Sequence, residues 1–191
     1  MSITIGSSLL TFGDGTSQNW ASAIKGSTYS TDLLSVAPYG FSITIPSGTC
    51  MITMNFANVS LTGTDDIAFI IISGGSANVG PYITNTISVN TTSGSSGSSS
   101  STGSLGFISS GAGTTIFSGT MNFWLNCDDA GNAYSCIYSG VFKYGTASCQ
   151  FVNGYLPSDG YSIDHLQFYP ASSNTFDGGV VNFTEYTQKK G

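Results

Sequence analysis

Between residues 40 and 72 apolar and polar residues alternate, stop at a turn, and alternate again. Phe41, Ile43 and Ile45 take every second place; Pro46-Ser47-Gly48 makes a turn; Cys50, Ile52, Met54 and Phe56 resume the same period. A strand repeats every two residues and a helix every 3.6, so this stretch buries one face only as extended chain. A second turn, Thr62-Gly63-Thr64-Asp65-Asp66, leads into the apolar run 67–72. Strands joined by turns this short run antiparallel.

The remainder of the chain extends the pattern. Glu185 is the only Glu, while 25 glycines punctuate stretches rich in Thr, Ile, Val, Tyr and Phe. That usage favours short strands and turns over helices. Strands are expected at 40–45, 49–57, 67–73, 82–90, 105–109, 114–126, 133–143, 148–154, 162–170 and 180–187, with 117–143 forming a hairpin. Residues 91–104 are almost wholly Ser, Gly and Thr, with nothing to bury, and read as a flexible surface loop. Residues 1–37 read as an N-terminal attachment or oligomerisation segment. Its Gly13-Asp14-Gly15 turn suggests a hairpin or extended arm, and its apolar residues are too few for a core. The expected fold is all-β, an antiparallel, jelly-roll-like β-sandwich over 38–191.

Charge excludes whole classes of partner. Only 7% of residues are charged, there is no Arg, and Lys25, Lys143, Lys189 and Lys190 are the only cations against a net charge of −6. Phosphate backbones and anionic bilayers require clustered Lys or Arg, so neither nucleic acid nor a membrane surface is an expected partner. No apolar run is long enough to span a bilayer, and no basic, apolar leader opens the chain, so folding in a cytoplasm is expected. The cysteines, Cys50, Cys127, Cys136 and Cys149, form no Cys-x-x-Cys pair, and His165 is the sole histidine. Neither a structural zinc nor another cofactor is expected. A cross-strand disulfide between Cys127 and Cys136 is conceivable, but cytoplasmic folding disfavours it.

No catalytic constellation emerges, and no enzymatic activity is expected. Asp164 precedes His165 in a strand, where neighbours point to opposite faces. Asp65-Asp66 and Asp128-Asp129 fall in turns, where Asp serves local hydrogen bonds. Calcium at Asp128, Asp129 and Asn132 is conceivable, although the spacing is not that of an EF-hand loop. The aromatics Trp124, Tyr134, Tyr138, Tyr144, Tyr155 and Tyr161 gather in the middle third. If Trp124, Tyr134 and Tyr138 share an outward face, they offer a platform for sugar rings. The alternative is that both strand faces are covered, one by the core and one by a subunit interface.

Two segments also resemble a known module. Ile45-Pro46-Ser47-Gly48, Val59-Ser60-Leu61-Thr62-Gly63-Thr64, Gly74-Gly75 and Gly80-Pro81-Tyr82 come in order in the first half. Ile163-Asp164-His165-Leu166-Gln167-Phe168 and Asn174-Thr175-Phe176-Asp177-Gly178-Gly179-Val180-Val181-Asn182-Phe183 close the second. Together, 40–90 and 162–186 resemble a module at the ends of bacteriophage tail fibres and related virion proteins. Leu10–Gln18 resembles a shorter stretch common in phage tail proteins. The resemblance implies a virion protein, a short tail fibre or fibre tip, homotrimeric, contacting other virion proteins and a host-surface glycan. It further implies that the segment carrying Leu10, Phe12, Asp14 and Trp20 attaches the domain. A capsid decoration protein and a free carbohydrate-binding protein remain alternatives. The closing Asp177-Gly178-Gly179 reads as a tight turn, with Phe176 folded onto the core. No binding residue is carried over, because the middle, 105–160, matches only as a pattern of strands.

Overall fold

The sixteen strands of the computed structural model are β1 (Ile3–Ile5), β2 (Leu10–Phe12), β3 (Ser17–Gln18), β4 (Ile24–Asp32), β5 (Phe41–Thr44), β6 (Thr49–Leu61), β7 (Ile67–Ser73) and β8 (Ser76–Asn78), followed by β9 (Tyr82–Asn90), β10 (Ser96–Gly103), β11 (Gly106–Ser109), β12 (Phe117–Cys127), β13 (Ala133–Tyr144), β14 (Ser148–Leu156), β15 (Ile163–Pro170) and β16 (Phe176–Gln188). The structure describes these strands, together with residues 39–40, 45–48, 62–63, 66, 93–94, 116, 128–132, 162 and 171–175. Every pairing among them is antiparallel, and the described residues contain no helix.

One continuous path of strands, β10-β9-β14-β13-β12-β6-β16-β4, forms the larger layer. The second layer centres on β15, which pairs β5 and β7, while β7 also pairs β8 and β11. A single bridge from β13 to β15, Ala133 to Ile163, joins the layers into one curled sheet. Among the described residues β1, β2 and β3 pair only with one another, β2 lying antiparallel to β3, while the Gly13-Asp14-Gly15 turn expected between them lies outside the described residues. β4 pairs along β16 and thus extends the larger layer.

The core lies between the layers and consists of the alternating positions. Ile52, Met54 and Phe56 of β6, Met121, Phe123 and Leu125 of β12, and Cys136, Tyr138 and Phe142 of β13 point inward. They meet Ile43 of β5, Phe69 and Ile71 of β7, and Leu166 and Phe168 of β15. Phe69 stands edge-on to Phe123 at 5.3 Å and to Tyr138 at 4.9 Å, and Phe41 stacks on Phe168 at 5.0 Å. Each such ring contributes about 1.5–3 kcal/mol by leaving water. The all-β, sandwich-type reading therefore holds.

Two expectations about the strands need correction. Residues 96–103 are strand rather than loop, paired along β9 from Ser96–Val89 to Gly103–Tyr82. A strand needs no apolar side chain when its backbone groups satisfy the exposed edge of a neighbour. Asp177-Gly178-Gly179 is not a turn but the irregular start of β16, where the register against β6 shifts on both sides of Gly178. Gly179 takes φ 105° there, while Asn58 opposite takes φ 53°. Beyond this point β6 changes phase: even positions face inward up to Phe56, odd ones at Val59 and Leu61. All four cysteines, including the Cys127 and Cys136 whose pairing was disfavoured, are free. The bulge at Asn126/Cys127 sets Cys127 opposite Ala133, while Cys136 faces Leu125 in the core. Cys127 turns away and donates to the Thr49 carbonyl at 3.2 Å.

Candidate contact surface

β12, β13 and β14 carry apolar residues on both faces, and β9 carries them on its outer face. Phe123, Tyr138, Val152 and Thr84 point inward, and their neighbours Trp124, Ile137, Phe151 and Ile83 point outward. In register, Trp124 lies beside Ile137, Ile137 beside Tyr155, and Tyr155 beside Ile83. Four residues along, Val141, Phe151 and Ile87 form a second row. These seven are among the nine exposed large hydrophobics of the described residues, with Trp124 at 42% and Ile137 at 50% exposure. With strands about 4.8 Å apart and rows about 6.7 Å apart, the patch covers roughly 400 Å².

A polar row separates the two apolar ones. Asn122, Ser139, Asn153 and Asn85 stand side by side across the same four strands. Thr53 of β6 extends this row and donates to the Asn122 side-chain oxygen at 2.8 Å. Thr120, beside Val141, donates likewise to Asn55 at 2.9 Å. Lys143 is the only charged side chain at the outward positions of β6, β9, β12, β13 and β14. Such a face is suited to packing against another surface rather than to chemistry.

The aromatic trio expected to share an outward face is divided by the structure. Trp124 lies on the outer face. Tyr138 is wholly buried; its hydroxyl lies 2.6 Å from Thr84 Oγ1 and donates to the Ile83 carbonyl at 3.1 Å. Burial pushes its pKa up to about 12, with a smaller opposing effect from Thr84. Tyr134 sits at the bulge beside Ser135, and its hydroxyl donates to Asp128 Oδ2 at 3.1 Å. Strand alternation puts residues 124 and 138 on opposite faces, because the register pairs Trp124 with Ile137. Of the arm residues, Leu10 and Phe12 belong to β2, and Asp14 and Trp20 lie outside the described residues, as do Asp65 and Tyr161.

Asp128 and Asp164 are used locally. Asp128 Oδ1 accepts the Asn132 backbone N–H at 2.8 Å, and Oδ2 accepts from the Asn132 amide at 3.1 Å. These donors, the backbone N–H foremost, hold the carboxyl below its ordinary pKa. The carboxylate fastens a turn, against which Gly48 donates to the Gly131 carbonyl at 2.7 Å. Asp164 and His165, expected on opposite faces, are in contact: Nδ1 and Oδ1 are 2.9 Å apart. An irregularity between Ile163 and His165 in the pairing with β7 breaks the alternation. Both side chains are more than a third exposed, so the pair contributes little to stability.

The two segments that carry the virion-module resemblance meet in space. β5 pairs β15, with Phe41 opposite Phe168, and β6 pairs β16, with Leu61 opposite Phe176. Thr62 N–H donates to the Thr175 carbonyl at 2.9 Å, and Thr175 N–H donates to Thr62 Oγ1 at 3.1 Å. Ser60 donates to Asp177, and Phe176 is buried as expected. Over the second layer, Tyr39, Gln167, Tyr169 and Asn174 border an open depression of about 600 Å³.

Of the outer-face residues, Ile83, Ile87, Ile137, Val141 and Phe151 were not singled out in the sequence, and Tyr155 only as one of the middle-third aromatics. A signal for most of them exists: Ile137-Tyr138, Val141-Phe142, Phe151-Val152 and Tyr155-Leu156 are adjacent apolar pairs, the mark of strands with two apolar faces. Among the described residues no helix is long and apolar enough to cross a membrane. No protein-family model and no curated protein matches the chain.

Proposed function

We propose that this chain is a non-enzymatic structural protein of a tailed-bacteriophage virion, a short tail fibre or fibre-tip module that acts in host-surface attachment as a homotrimer. The observation that carries this reading is the meeting of residues 40–63 with 162–183. Chance matches to short motifs have no reason to fall on paired strands. Here β5 lies on β15 and β6 on β16, with Thr62–Thr175 and Ser60–Asp177 closing the seam. A module whose motifs form its scaffold has this arrangement, and recognition then falls to surfaces outside the seam. The outer face, with Lys143 as its only charge and facing water on four adjacent strands, provides room for subunit contacts.

The test is localisation on intact particles. Antibody against the chain is expected to label the tail end, and purified chain is expected to compete with particles for adsorption to the host. Dense, symmetric labelling of the head would replace the fibre reading with capsid decoration. Particles that carry no label would refute the virion role.

A further inference from the structure

We propose that copies of this chain assemble through the outer face of β9, β14, β13 and β12, arranged about an axis parallel to the strands. The face is ordered in rows that cross the strands. Trp124, Ile137, Tyr155 and Ile83 form one; Asn122, Ser139, Asn153 and Asn85 the next; Val141, Phe151 and Ile87 the third. Rotation about an axis along the strands leaves each row at its own height. Apolar rows then meet apolar rows, and the Asn/Ser row meets amides and hydroxyls that pair with its own. A partner lacking this spacing of about 6.7 Å between rows would set apolar groups on amides and leave polar groups unpaired.

Size and charge point to the same occupant. Extending the rows over β6, β16 and β10 gives a footprint of about 700 Å², close to the ~800 Å² per partner of a stable interface. The chain carries a net charge of −6, yet the face itself holds no acidic side chain at the outward positions of β6, β9, β12, β13 and β14. Like-charge repulsion between copies is therefore kept away from the contact. A sugar ligand fits less well, because Ile83, Ile87, Ile137 and Val141 are aliphatic and only aromatic rings offer a stacking face.

Light scattering and sedimentation velocity on the full chain from about 1 to 100 µM test this. The expected mass is a multiple of 19.7 kDa. Ile137→Lys and, separately, Val141→Lys put a charge on the face at half-exposed sites, where the fold tolerates them. Each is expected to weaken self-association at least tenfold while circular dichroism and the unfolding midpoint stay near wild type. A benzophenone amino acid at position 139 is expected to photo-crosslink copies, and one at position 172, on the other layer, is not. A monomer at 100 µM, variants with the wild-type mass, or equal crosslinking from both positions would overturn the proposal. This inference stands on the face alone. An oligomer absent from particles would remove only the virion reading, whereas a monomer present on them would remove this inference and the homotrimer and leave the virion location standing.

Discussion

Replacing Tyr138 by Phe removes one oxygen from the centre of the fold and tests whether this residue belongs to the core or to a ligand site. The hydroxyl donates to the Ile83 carbonyl at 3.1 Å and lies 2.6 Å from Thr84 Oγ1, so Thr84 is its donor. Thr84 is only 3% exposed, so water cannot replace the lost partner without entering the core. Two net hydrogen bonds at about 1 kcal/mol each, with the stranded Thr84 hydroxyl, set the cost of Tyr138→Phe at roughly 2–3 kcal/mol. Thr84→Val leaves the Ile83 bond in place and costs about 1–2 kcal/mol. The double variant leaves no stranded hydroxyl, so its cost falls short of the sum by about 1 kcal/mol or more. Urea unfolding by linear extrapolation, with far-ultraviolet dichroism as the probe, measures all three. Tyr138→Phe within about 0.3 kcal/mol of wild type, or strictly additive single variants, would refute the buried-network reasoning.

Two further outcomes follow from the interior. Gly154 lies beneath the Tyr138 ring, and a methyl group there would overlap that ring and the Ile83 carbonyl. Gly154→Ala is expected to cost about 2 kcal/mol or more, read as a lowered thermal midpoint, whereas an unchanged midpoint would show that the ring yields freely. Glu185 lies inward on β16 at 5% exposure, and burial raises its pKa above the ordinary 4.5. A folded-state pKa above the unfolded one means stability present below about pH 4.5 and lost as pH rises through the folded value. Glu185→Gln is therefore expected to stabilise the protein at pH 7 and to lose that advantage at pH 4; an advantage that grows on acidification would contradict the sign.

The strands were legible because each rests on a local pattern. β5, β6 and β12 to β16 fall where period-two alternation sets them and β7 where an unbroken apolar run does, and Phe41, Ile43, Ile52, Met54 and Phe56 are buried as the alternation requires. β10 was hidden because its Ser/Gly sequence carries no period; the open backbone edge of β9 makes it a strand. Tyr138 was misjudged because composition counts aromatics without assigning them to faces. Asp164 and His165 were separated by a rule that holds only where alternation is unbroken, and the irregularity in β15 breaks it.

By itself the sequence determined the class of fold, the inward face of most strands and the scarcity of cations. Those follow from side-chain period and charge, which are properties of neighbours in the chain. The tertiary structure alone decided which strands lie side by side. Register places Trp124, Ile137, Tyr155 and Ile83 in one row, although up to 72 positions separate Ile83 from Tyr155. The same pairing closes residues 40–63 onto 162–183 and leaves a second apolar face toward water. Covering a face depends on contacts between distant segments, and no local pattern records which segment arrives.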